Sequence, residues 1–264
     1  MNGGMEELIT KLRGKQIWDE TPVFCFTSDI DWASEEVMKE YFDQVDRLDI
    51  KPTLFVTHPS AVIEENFKAG RIERGIHPNF LPNSSHGNSF REVIETCMRL
   101  APESYGFRCH RAFEVTDITH LLKNDYSYKY YSQPITLLQS FIRPVLHESG
   151  LVCYPVFFED GTHLYQRLDL DFRQYREAFV TPGIKVISFH PMNFVFNSPT
   201  LQYMRQIKDS LSREEFQHIS SGTIAKLRNG KTGIGTTVRE IIDFVRAANY
   251  PVLSMNDLYH HTIK

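Results

Sequence analysis

The stretch VFCFTSDIDWASEEVMKEYFDQVDRL, residues 23–48, decides the fold. Its first part, Val23–Asp29, is apolar and rich in aromatic and β-branched residues, as a strand buried on both faces must be. Ser34 then offers a helix cap, and Glu35 and Glu36 follow in the first turn, where carboxylates complement the free N–H groups. Val37, Tyr41, Val45 and Leu48 recur at helical spacing and give that helix one buried stripe. A buried strand followed by an amphipathic helix is the repeating unit of α/β architectures.

Outward from this unit the alternation continues. Further strands are expected at PTLFVTH (52–58), RIERGIH (71–77), YGFRCHR (105–111), YSYKYYS (126–132), VCYPVFF (152–158), KVISFHP (185–191) and PVLSM (251–255). Ser89 with Glu92 forms a capping box ahead of Phe90, Val93, Ile94 and Cys97, and Thr237 with Glu240 repeats it ahead of Val238, Ile241, Ile242 and Val245. Residues 200–230 read as one helix, followed by the polar loop RNGKTGIG (228–235). Eight strands alternating with helices predict a distorted (β/α) barrel with seven or eight parallel strands. An open doubly wound sheet ranks second, because no G-x-G-x-x-G follows the first strand. One catalytic domain over residues 1–264 is expected, with its core at about 20–258.

Composition narrows the function. Lys and Arg total 29 against 33 Asp and Glu, a net charge of −4, so there is no basic footprint for nucleic acid. No apolar run reaches the roughly 20 residues of a membrane span, and the start MNGGMEELITKLRGKQ lacks the apolar segment of a signal peptide. A cytoplasmic protein is the expectation. Cys25, Cys97, Cys109 and Cys153 are too dispersed for a disulfide framework or a paired metal site, so free thiols are expected, with Cys109 near the chemistry.

In a β/α barrel the loops leaving the C-terminal strand ends build the active site. Here one strand ends in Asp29 and Asp31, others in His77, in Arg108 and His110, and in His190. On an extended chain Asp29 and Asp31 point to one face about 6–7 Å apart, and two such carboxylates need a cation or an arginine between them. His77 and His86 flank a loop of Pro, Asn and Ser, and two imidazoles with one carboxylate suit a divalent metal, zinc foremost, with a position left for water. His190, followed by Pro191, can donate a proton near neutrality. Arg108 can orient Asp29 or bind substrate. Cys109 and His110, adjacent on a strand, point to opposite faces and make a poor nucleophilic dyad.

Together these motifs resemble the polysaccharide deacetylase (NodB-homology) superfamily, from about residue 20 to 258. TSDID (27–31) resembles its first motif, FRCHR (107–111) its arginine motif, and ISFH (187–190) its last. His77 begins the second motif, but Leu81 stands where the second histidine belongs, and His86 looks like its displaced replacement. The resemblance implies a metal-dependent hydrolase that removes an N-acyl group, N-acetyl foremost, from an amino sugar of the kind used in surface-polysaccharide assembly. It implies Asp29 as base steered by Arg108, Asp31, His77 and His86 as metal ligands, and His190 as acid. Glu159 and Asp160, ending FFED (157–160), and His110 are read as sugar contacts, with His110, Glu159 or water completing the metal shell should His86 not. A carbohydrate-binding domain with a decayed site, and a hydrolase of small cyclic amides or formamides, remain open alternatives.

Overall fold

The computed structural model describes residues 3–264. One sheet holds nine strands: β1 (Pro22–Asp29), β2 (Thr53–Val56), β3 (Glu73–Ile76), β4 (Gly106–Phe107), β5 (Tyr130–Tyr131), β6 (Val145–Leu146), β7 (Val152–Cys153), β8 (Val156–Glu159) and β9 (Gly183–Ser188). Their order is β6-β7-β5-β4-β3-β2-β1-β9-β8. Every pairing is parallel except β6 with β7.

Only Tyr154 and Pro155 separate β7 from β8, although the two lie near opposite ends of that order. The predicted strand 152–158 is therefore one bent strand that changes partner, pairing with β5 before Pro155 and with β9 after it. The bonds Val156 N–H to Pro134 O and Thr136 N–H to Val156 O, both 2.8 Å, keep the segment after β5 alongside β8. The sheet thus curls round until its two ends meet through one strand. The distorted α/β barrel holds, with eight parallel strands and the unexpected antiparallel β6. The predicted strand 251–255 is reduced to a bridge between Val252 and Phe24, because Ser254 caps a helix, Met255–Thr262, that takes over the chain.

Alternation sorts the side chains into two layers. Val23 and Cys25 of β1, Ile184 and Val186 of β9, and Phe55, Tyr130 and Tyr154 form the inner cluster. Phe24, Phe26, Ile187 and Phe189 pack against the helices outside. The inner wall also needs two residues without side chains: a Cβ at Gly75 would lie 2.5 Å from the Phe55 ring, and one at Gly106 2.2 Å from Tyr130. Met255 and Leu258 of the last helix close the floor of this cluster, while Glu73 accepts from Asn256 N–H at 3.1 Å.

Among the helices, Ser34 and Ser89 cap Glu35–Arg47 and Phe90–Leu100 as expected. The capping box expected at Thr237 and Glu240 does not form. The helix Ile234–Ala247 begins three residues before Thr237, whose hydroxyl donates instead to Leu170 O at 2.6 Å. Asn197 Oδ1 serves that helix by accepting from Thr236 N–H at 2.8 Å. Residues 200–230 form three short helices, Leu201–Asp209, Arg213–Gln217 and Ser221–Leu227, rather than one, because Thr200, Ser212 and Ser220 each cap a new start. All four cysteines are free and buried; Cys109 joins the outer core cluster and also lines the cavity at the barrel mouth, between Arg108 and His110. Among the described residues no helix is long and apolar enough to cross a membrane.

Lys185 of β9 is fully buried in the outer layer, its ammonium 4.2 Å from the centre of the Phe157 ring and bonded only to Thr181 Oγ1. Burial lowers its pKa from the usual 10.5 to about 8. Between those values the unfolded chain holds a proton that the folded one lacks, so this residue makes stability rise with pH from about 8 to 10.5 and imposes its full cost below 8. Lys185→Met is therefore predicted to raise the unfolding free energy at pH 7, with an advantage that shrinks as pH approaches 10. Paired urea titrations at pH 7 and pH 10 check this; an advantage independent of pH would contradict it.

Candidate active site

The inner rows of the barrel change character at its mouth. On β1 the row Val23, Cys25 continues as Thr27 and Asp29; on β9 the row Ile184, Val186 continues as Ser188 and His190. Beyond Asp29 the chain does not stay extended. Ala33 N–H bonds to Ile30 O at 2.8 Å, and Asp31 and Trp32 take φ of 40° and 57°. Both carboxylates line one cavity, with Asp31 reaching it from this turn rather than from an extended strand. A positive φ costs a bulky residue such as Trp32 about 1–2 kcal/mol. Trp32 is held there by its N–H to Thr57 Oγ1 at 3.2 Å and by ring contacts with His86 and His110, centroids 5.5 and 5.3 Å away.

Arg108 and Asp29 form a buried ion pair, Nη1 to Oδ1, at 2.8 Å. The same guanidinium donates to Thr27 Oγ1, Ser188 Oγ, Ser132 O and Ser132 Oγ, and lies over the Phe55 ring. Burial alone would raise the Asp29 pKa, but Arg108, with His77 and His190, outweighs it and holds the carboxyl below its usual value.

Three atoms able to ligate a cation converge beside this pair. Asp31 Oδ1 lies 3.3 Å from His77 Nε2 and 3.1 Å from His110 Nδ1, and the two ring nitrogens are 3.2 Å apart. Ligands at about 2.0–2.1 Å around a tetrahedral zinc ion lie about 3.3–3.4 Å from one another, so this triangle has the size of one face of such a site. If both ring nitrogens donate to this carboxylate oxygen, two N–H groups are left facing each other 3.2 Å apart, whereas a cation at their centre would serve all three atoms. Asp31 fits that role: burial pushes its pKa up, yet the bonds from His110 and His77 hold it well below the usual range.

His190 stands on the other side, Nε2 3.6 Å from Asp31 Oδ2. Its Nδ1 bonds to Asp160 Oδ1 at 2.6 Å, and its backbone N–H to Asp160 Oδ2 at 2.8 Å. Burial would lower its pKa, but Asp160, helped by Asp31 and Glu159, holds it well above the ordinary histidine value. Asp160 is fully buried and so is a partner of His190 rather than a sugar contact. Glu159 accepts from Gly161 N–H and Thr162 N–H, capping the helix Asp160–Tyr165, and burial raises its pKa.

His86 lies outside the triangle. Its Nε2 donates to Thr57 O at 2.7 Å, and its Nδ1 accepts from Asn79 N–H at 3.1 Å with Cys97 Sγ at 3.3 Å. No lone pair is left for a metal, and the third corner of the triangle is His110, which the sequence reading placed among sugar contacts and among the alternatives to His86. The two-residue register offered a signal: His110 is in phase with Arg108, and Cys109 between them packs outward. Asp160 was equally legible as the residue that follows a strand beside β9.

A curled parallel α/β barrel with an acid–histidine site at its mouth defines the class. Residues 26–208 match the family described as WbmS-like polysaccharide deacetylase, and the chain belongs to that family. The structure is similar to the WbmS protein of Bordetella bronchiseptica, ascribed to polysaccharide deacetylation in O-antigen biosynthesis, with TM-score 0.73 and 23% identity over 84% of this chain and 90% of that one. Weaker likenesses are to a peptidoglycan N-acetylglucosamine deacetylase (TM-score 0.44, 12% identity, 88% and 86% covered) and a Streptococcus mutans CE4 esterase (0.46, 11%, 95% and 90%). No curated protein matches the chain in sequence.

With both ring nitrogens of His86 bonded to backbone, His86→Ala leaves Asn79 N–H and Thr57 C=O unpaired in a buried place. A loss of about 2–4 kcal/mol in unfolding free energy is expected. Denaturant titration checks it, and a loss below about 0.5 kcal/mol, the scatter of surface substitutions, would contradict the bracing role.

Proposed function

We propose that this protein is a metal-dependent N-deacylase of amino sugars in a polysaccharide or its precursor, with residues 20–258 serving as one catalytic unit. The observation that carries the reading is the triangle of Asp31, His77 and His110 set between the Asp29–Arg108 pair and the Asp160–His190 pair in one cavity of about 410 Å³. Asp31, His77 and His110 would hold the divalent cation, zinc foremost. Bound there, it would supply Lewis acidity, acidifying water and polarising the amide carbonyl.

The chain's own groups do the rest. Asp29, ionised and held in place by Arg108, accepts a proton from the attacking water. Arg108, buried and bonded through its guanidinium to Asp29, Thr27, Ser132 and Ser188, acts as a positioning residue. His190, kept protonated by Asp160, faces the cavity with Nε2 and gives its proton to the departing amine. The products are a free amino sugar and a small carboxylic acid such as acetate.

Metal analysis of chelator-free protein is expected to find about one divalent ion per chain. Asp31→Ala, His77→Ala and His110→Ala should each lose it, whereas folded His86→Ala should keep it. Metal retained in His110→Ala and lost in His86→Ala would overturn the ligand assignment. Asp29→Asn should keep the metal and lose about 10²–10⁴-fold in turnover, the usual contribution of a placed acid–base group. Undiminished turnover in Asp29→Asn would remove that carboxylate as the base.

A further inference from the structure

We propose that Arg111 makes the mouth of this site a binding point for an anionic group on the sugar, a carboxylate or a phosphate, so that the preferred substrate is an acidic N-acylated sugar. The sugar rests on the deacylase reading above; the anion does not.

Each acid lining the cavity already has partners. Asp29 has Arg108, Asp31 has His77 and His110, and Glu159 has Gly161 N–H and Thr162 N–H. The Arg108 guanidinium is buried, with its charge paired to Asp29 and further bonds to Thr27, Ser132 and Ser188. Arg111 also lines the cavity, is exposed, and among the described residues makes no ion pair or side-chain hydrogen bond. The nearest acid along the chain, Glu114, is occupied by Tyr131 and Gln133.

Its position is held by the backbone. Arg111 and Ala112 both take positive φ, 56° and 51°, in a turn closed by Ala112 N–H to Cys109 O at 3.0 Å. Glycine or asparagine would fit that turn with less strain. The turn follows directly on His110, so Arg111 leaves the rim one residue along the chain from the triangle, and the turn fixes that point of departure. Elsewhere the rim is apolar, with Ile135, Tyr165 and Leu201 exposed by 37%, 70% and 39%. A sugar ring can cover such a surface while a planar five-donor guanidinium takes a carboxylate or phosphate by paired bonds.

Calorimetric titration of the full chain with N-acetylglucosamine, its 1-phosphate and its uronate tests this without relying on hydrolysis. Wild type should bind at least one acidic sugar about 10-fold or more tighter than the neutral one, with the difference shrinking at high salt. Arg111→Gln should weaken binding of that acidic sugar by roughly 10–100-fold and abolish the discrimination, while Arg111→Lys should keep part of it. Whichever anion loses more names the substituent. Equal wild-type affinity for neutral and acidic sugars, or an unchanged affinity for the acids in Arg111→Gln, would overturn the inference. Acetate release from the same sugars reports separately on the deacylase reading: its absence alongside intact anion discrimination would sink that reading and leave Arg111 standing.

Discussion

The mouth of this barrel depends on the buried contact between Arg108 and Asp29. β4 and β5 are only two residues long, so few ladder bonds tie the upper wall together on that side. Arg108 compensates by reaching from the end of β4 to β1 through Asp29 and Thr27, to the end of β9 through Ser188, and to Ser132 beyond β5. Burying two charges is tolerable here because they pair with each other and Arg108 makes four further bonds to neutral groups. The pair fixes the line along which the chain leaves β4, and that line ends two residues later at His110. Geometry at the ligand triangle therefore rests on an interaction outside it.

Much of this was legible in sequence because the barrel's inner wall obeys a two-residue period. Asp29, His77, Arg108 and His190 each end an apolar strand, and the structure places all four at one mouth. What local patterns could not give was tertiary in origin. The spacing of Asp29 and Asp31 suggested an extended chain, whereas Asp31 reaches the shared cavity from a turn with two positive φ values. The run 152–158 reads as one strand because nothing in an apolar stretch says that it changes partners at Pro155. Lys185 sits mid-strand in the outer layer, where pattern alone would place an apolar residue.

His86 is the most instructive departure. A histidine nine residues after His77, in a loop of Asn, Ser and Pro, has the composition of a metal loop. Its two ring nitrogens instead pin that loop to Thr57 and Asn79, and its ring supports Trp32, which packs in turn against His110. Leu81, where the family motif carries histidine, donates its N–H to Asn79 Oδ1 in the same loop. On the proposed assignment the loop 78–89 has exchanged ligation for bracing, and the corner of the triangle that His86 would have filled is filled from the β4 side. Composition reveals that a histidine is present; only the hydrogen-bonding of its two nitrogens reveals what it is for.

The claim on which this account turns is the location of the metal. A crystal of zinc-loaded protein, with anomalous differences collected on both sides of the zinc absorption edge, measures it directly. The account predicts one strong peak within about 2.0–2.2 Å of Asp31 Oδ1, His77 Nε2 and His110 Nδ1, with His86 still bonded to Thr57 and Asn79. A peak bound by His86 in place of His110, or no peak among these residues at saturating zinc, would contradict it.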